Sequence, residues 1–424
     1  MPTPTDLDLS WEAYRSEARD STPILTPPAT KPVVVKKAPK KQQKKGGGAL
    51  EELRREARLR ASEGPWPARN TDLGNAGRLV SSFGSELRYC PELKAWFFWD
   101  GQVWSHDGTD RIYEYARRTV EGIWEDSRRR CFDADTQKRF ASWAHKSERK
   151  ASFLAMVDLA RHESGMAVRP GEMDTDDWIF VARNVTVDLR TGNTSPHDPA
   201  HLATQSSQVE YRPEAACPRW DAFLHRVLGG DAELISFVQR AVGYTLTGVT
   251  REHCLFVCHG SGRNGKSTFL EALRAVLGTY SRGAQFSTFL EQRGDAGPRN
   301  DLARLRGARF VTANESGHSK NLAESVIKQI TSDDTVTARH LYKEAFEFRP
   351  KLKLWLAANH LPTIVGVDEG IWRRVRLVPF RVQIPKTEVD RQLGDKLRSE
   401  YPGILRWAVE GCLAWQREGL DPPS

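Results

Sequence analysis

The chain has 424 residues and a mass of 47.9 kDa, enough for two or three domains, and its 39% of hydrophobic residues can fill real cores. Its net charge of +8 looks like a nucleic-acid signature until it is located, because seven lysines and no acid fall in "KPVVVKKAPKKQQKK", residues 31–45, and without them the remainder carries only +1. No apolar run approaches a membrane span, "MPTPTDLDLS" lacks the pattern of a signal peptide, and the six cysteines show no C-x-x-C spacing, so a membrane protein, a secreted disulfide scaffold and a zinc module are disfavoured and a cytoplasmic protein without a membrane partner is expected.

In chain order, residues 1–48 are rich in Pro, Thr and Lys and end in "GGG", the composition of a disordered tail that is either a salt-sensitive tether to DNA or simply solvated. Strong helix formers in "ALEELRREARLRASEG" make 49–71 a helical linker. Residues 72–210 read as a mixed α+β domain. There, "LRYCPELKAWFFWDGQVWSHDG" alternates aromatics with polar residues as short antiparallel strands do, 110–165 is helical in character, and "DWIFVARNVTVDLRTGNTSPHD" returns to strands and turns. A helical lead-in, 211–250, precedes the most informative stretch, 251–385, and a helical segment closes the chain at 386–424.

That stretch opens with an apolar run, "CLFVC", followed by "HGSGRNGKST" at 259–268 and then by helical spacing of Phe269, Leu270, Leu273, Val276 and Leu277. Gly260, Gly262 and Gly265 let the chain wrap tightly and aim successive N–H groups at one anion, alongside Asn264. Lys266 adds a point charge over the outer phosphates, Ser267 offers a hydroxyl to Mg²⁺, and with Thr268 they open a helix whose N-terminus favours a phosphate. The expected ligands are ATP and Mg²⁺.

Apolar runs then recur at 308–314, 351–359 and 375–380, separated by helical stretches, which argues for a parallel sheet covered on both faces. Glu315 emerges from the first run and is suited to accept a proton from an attacking water and to help hold Mg²⁺. Asn359 ends the second, where its amide would orient that water. Arg373 and Arg374 precede the third, placed to deliver a guanidinium into a neighbour's site.

Taken together, "GSGRNGKST", "RFVTANES", "KQITSDDTVTARHLYKEAFEF", "KLWLAANHLP" and "VDEGIWRRVRLVPF", in that order, resemble the motifs of superfamily 3 helicases, in particular the primase-helicases of phages, plasmids and poxviruses. The likeness runs from about Asp72 to Leu420. It implies an α/β fold, a P-loop AAA+-like motor with a central parallel sheet, and an ATP-dependent hexameric DNA helicase serving a phage or other mobile element. It makes Gly265, Lys266 and Ser267 the phosphate and Mg²⁺ ligands, Glu315 the Walker B acid, Asn359 the sensor, and Arg373 and Arg374 the finger candidates. It also implies a β-hairpin with its turn near Tyr342, Lys343 and Glu344, where His340 and Lys343 would meet the backbone of single-stranded or forked DNA and Arg339 would either join them or brace the hairpin, and travel from 3′ to 5′.

Three features depart from that pattern. Thr331 and Ser332 stand where relatives usually carry a Gly-Gly pair; the front of the chain offers a tail where relatives often have a primase domain, so primer synthesis is not expected; and the chain stops where relatives enter a C-terminal extension, so a separate primase or origin-binding partner is implied. Two other classes remain open at this level, an ATP-gated DNA-binding initiator or loader scaffold and a small-molecule P-loop kinase.

Overall fold

A computed structural model describes residues 69–128, 132–291, 299–315, 321–339, 345–359 and 369–423. The Lys-rich tail and the linker helix before residue 69 lie outside the described residues. The chain forms two compact units, one of residues 69–98 with 106–170, the other of Trp99–Ser105 with Gly171–Pro423.

In the first unit, α1 (Asp72–Phe83) begins where the Thr71 hydroxyl accepts the Gly74 N–H at 3.0 Å. Strands β1 (Leu87–Cys90) and β2 (Ala95–Trp99) pair antiparallel from Leu87↔Phe98 to Cys90↔Ala95, as the aromatic alternation predicts. After β3 (Trp104–His106), the expected helical stretch resolves into α2 (Ile112–Ser127), α3 (Ala134–Ser147) and α4 (Lys150–Ala160), the last two separated because Arg149 is extended at ψ 142°. Their core gathers Leu79, Trp96, Phe98 and Tyr115. Asn75, fully buried, accepts from Trp143 Nε1 and donates to Ser147 Oγ, each at 2.9 Å.

The second unit starts with a small antiparallel sheet of β4 (Ile179–Val181), β5 (Thr186–Asp188) and β6 (Thr194–Ser195). The sequence reading grouped these strands with residues 72–210, yet here they pack with the larger unit: Tyr280 Oη accepts the Val181 N–H at 3.0 Å, and Arg309 donates to the Ile179 carbonyl at 2.8 Å. Helices α5 (Pro218–Val227) and α6 (Ala232–Leu246) follow. Then come β7 (Leu255–His259), α7 (Lys266–Leu277), β8 (Ser281–Gln285), α8 (Asn300–Ala303), β9 (Phe310–Asn314) and α9 (Glu324–Ile330). The remainder is β10 (Val336–Arg339), β11 (Ala345–Phe348), β12 (Lys353–Ala358), α10 (Glu369–Trp372), β13 (Val375–Pro379), α11 (Leu393–Arg398) and α12 (Tyr401–Glu418).

Five of these strands form one parallel sheet in the order β13-β7-β12-β9-β8, the central sheet expected from the apolar runs. Successive residues of a strand face opposite sides, so Phe256, Cys258, Phe310 and Trp355 enter one core while Leu255, Val257, Val311 and Leu354 enter the other. The first core is aromatic, with Trp355 stacked on Phe256 at 4.3 Å between centroids and Trp220 on Phe269 at 5.7 Å. On that side α6 and α12 cross so closely that a Cβ on Gly243 would lie 2.0 Å from the Cys412 nitrogen and one on Gly411 would lie 2.1 Å from the Gln239 carbonyl oxygen. Strand β8 was not anticipated; its sequence, SRGAQ, is largely exposed at the sheet edge and carries no apolar pattern. Among the described residues no helix is long and apolar enough to cross a membrane.

Candidate functional site

The glycine loop leaves the carboxyl end of β7 and enters α7, as the sequence predicts. Gly262 and Gly265 hold positive φ, 90° and 85°, and the first bond of the helix runs from the Phe269 N–H to the Gly265 carbonyl at 2.9 Å. The amides ahead of that bond therefore point out along the helix axis, an arrangement that suits an anion. Ser267 is exposed on that first turn and Thr268 half-buried beside it.

Strand β12 lies between β7 and β9, so Asn359 stands between the loop and Glu315. The three meet through hydrogen bonds. Lys266 Nζ donates to the Gly260 carbonyl, to Asn264 Oδ1 at 3.2 Å and to Asn359 Oδ1 at 3.3 Å. The Asn359 backbone N–H donates to Glu315 Oε2 at 3.0 Å, and the Glu315 N–H donates to the Ala357 carbonyl at 2.9 Å. Asn264, 3% exposed, is fixed from its other side by donating Nδ2 to the Phe380 carbonyl at 3.0 Å. Burial holds the Lys266 ammonium below the usual lysine value, while Cys258 and the Glu315 carboxylate pull it back up.

This donor set fits a triphosphate with its divalent cation. A desolvated ammonium, now satisfied by two amide oxygens and a carbonyl, faces the loop; a hydroxyl opens the helix; and a carboxylate lies on the far side.

Arg373 and Arg374 are elsewhere. Val375 pairs with Leu255 and Pro379 with His259, so both arginines sit at the amino end of β13 and the loop at the opposite end of the sheet, roughly 16 Å away at about 3.3 Å per strand residue. Arg373 is exposed. Arg374 is half-buried and donates Nη1 to Thr331 Oγ1 at 3.0 Å and Nε to the Gly370 carbonyl at 3.2 Å.

β10 and β11 pair antiparallel from Val336↔Phe348 to Arg339↔Ala345, which is the expected hairpin. Val336 and Ala338 are buried, whereas Thr337, Arg339 and Glu347 are exposed. His340, Tyr342, Lys343 and Glu344 lie outside the described residues.

Sequence reasoning missed Phe223 and Val227 of α5 beneath Gly265, and Thr331 as the partner of Arg374; these pairs are too distant in sequence to carry a local signal.

Comparison with known proteins gives two family matches, a D5 N terminal like profile over residues 76–229 and a family of unknown function (DUF5906) over residues 258–374. A protein of Acanthamoeba polyphaga mimivirus named "Putative helicase L207/L206" is 30% identical over 274 residues, 59% of this chain and 28% of its own length. "Primase D5" of Fowlpox virus is 28% identical over 175 residues, 37% of this chain and 22% of its own length. The chain thus spans under a third of these relatives. Among solved structures, the apo NrS-1 C terminal region is 9% identical at a TM-score of 0.49, covering 80% of this chain and 69% of that one.

Proposed function

Because the chain belongs to the D5-like primase-helicase family, we propose that it is an ATP-driven DNA helicase whose nucleotide sites lie between protomers of a ring, hexameric by the resemblance, acting in replication of a virus, phage or mobile element. The observation that carries this reading is the hydrogen-bonded set Lys266, Asn359 and Glu315 at one end of the sheet, with Arg373 exposed at the other.

In this reading Gly260, Gly262, Gly265 and the first turn of α7 cradle the phosphates of ATP, and Lys266 exchanges its present oxygens for theirs. Ser267 and Glu315 would hold Mg²⁺, which would supply charge neutralisation at the phosphates. Glu315 accepts the proton of the attacking water. Asn359, bonded to Lys266 through its side chain and to Glu315 through its backbone, keeps that water and the loop in register. Arg373 cannot serve its own protomer's loop from the far end of the sheet, so it stabilises the transferring phosphoryl group of the next protomer.

Arg339 at the hairpin's end, with His340 and Lys343 beyond it, contacts the DNA backbone, and a ring of such hairpins concentrates charge that a nearly neutral core lacks. The resemblance gives 3′ to 5′ as the direction of travel.

A forked duplex with a 3′ single-stranded tail tests the reading. Strand release that needs ATP and is lost in K266A is expected. DNA binding and ATP turnover without release would make the protein an ATP-gated scaffold instead.

A further inference from the structure

We propose that Thr331 and Arg374 form a latch that ties the base of the β10–β11 hairpin to the segment presenting Arg373, so that a change at the protomer interface moves the hairpin. The proposal rests on the ATPase reading above, in which Arg373 faces the neighbouring site.

Thr331 is 2% exposed and ends α9. Its hydroxyl donates to the Ile327 carbonyl at 2.7 Å and accepts from Arg374 Nη1 at 3.0 Å, while its own carbonyl lies 3.1 Å from His253 Nδ1. Glycine in place of Thr331 could make neither side-chain bond. The arginine is anchored as firmly: besides the Gly370 bond, its carbonyl accepts the Leu255 N–H at 2.9 Å, joining the starts of β13 and β7.

From Thr331 the chain passes directly into the hairpin. Asp333, two residues on, is bonded by the Thr250 hydroxyl, and its carbonyl accepts Arg349 Nε at 3.1 Å, with the two side chains 3.8 Å apart. Asp333 precedes β10 and Arg349 follows β11, so this pair closes the hairpin's base. Ser332 adds bonds to the Gln329 carbonyl at 3.2 Å and to Asp334 Oδ2 at 3.1 Å. The closed base moves as one piece with Thr331, and Thr331 is held by the residue adjacent to Arg373. A contiguous run of hydrogen bonds therefore joins interface to hairpin, and Thr331 acts as a positioning residue rather than a catalytic one.

The test is ATP turnover of the full chain, with and without single-stranded DNA, for wild type, T331V and T331S. Valine keeps the shape and removes both hydroxyl bonds; serine keeps the hydroxyl. T331V should retain basal turnover and lose at least about five-fold of its DNA stimulation, the lower end of ordinary coupling between sites, while T331S stays near wild type. A thermal melt confirms that each variant is folded, and T331A carries the same lesion should T331V not fold. Unchanged stimulation in T331V overturns the latch, as does equal damage in T331S, which would mean that packing and not the hydroxyl matters. A wild-type chain with no DNA stimulation would instead defeat the motor reading itself, and the latch with it.

Discussion

At Gly265 the backbone holds φ 85°, and an added Cβ would stand 2.6 Å from Val227 Cγ1 and 3.0 Å from Phe223 Cε2. Conformation and packing therefore demand glycine independently. Gly265→Ala should cost about 1–3 kcal/mol, from the left-handed backbone and the crowded contact with α5, and should weaken nucleotide binding because α7 shifts with the residue that caps it. Urea unfolding and nucleotide titration check both effects; an alanine variant matching wild type in each would contradict the packing argument. The loop was legible in the sequence because its glycines, lysine and hydroxyls fall within ten consecutive residues. Asn264 shows where legibility stops. Its place in the loop could be read, but the Phe380 carbonyl that fixes it lies 116 residues away and directly follows β13, the strand beside β7.

At the scale of elements, β7, β9 and β12 could be found from their apolar runs, since a strand buried on both faces is largely apolar, and the half-buried edge strand β13 from Val375, Leu377 and Val378. β8 could not, because an exposed edge imposes no such pattern, and neither could the order that inserts β12 between the loop strand and the glutamate strand. The amino ends of the strands carry a further feature, buried cations. Lys353, 1% exposed, opens β12 with its ammonium on the Thr247 and Lys351 carbonyls and 4.7 Å from the centroid of the Tyr244 ring. Burial, reinforced by Arg309, holds it well below the usual lysine value of 10.5, against the opposing pull of Asp177, Cys254 and Cys412. Between that depressed value and about 10.5 the unfolded chain binds a proton that the folded chain has given up, so the group's contribution to unfolding free energy rises with pH. Wild type should gain stability over K353M as pH rises towards about 10.5, by up to about 1.4 kcal/mol per pH unit, the limit for one proton. Parallel pH profiles for the two proteins in urea would contradict the assignment.

Over the whole molecule, the sheet separates the two parts of the proposed site. The loop, Lys266, Asn359 and Glu315 collect at its carboxyl end, while Arg373 is displayed at its amino end. A lone protomer holds both parts without joining them; in the proposed ring, head-to-tail contact between copies would bring each loop to a neighbour's arginine. The sequence placed the arginine pair before a strand but could not separate its members; the partner of Arg374, Thr331, is 43 residues away, and only the folded chain reveals that this guanidinium is held internally. ATP turnover of mixed variants tests the shared site most directly. K266A lacks the loop lysine and R373A the presented arginine, so each alone should be inactive. Mixed in equal amounts and allowed to assemble at random, they should recover about a quarter of wild-type turnover, the fraction of interfaces that pair an intact loop with an intact arginine. A mixture no more active than either variant alone would contradict a site shared between protomers.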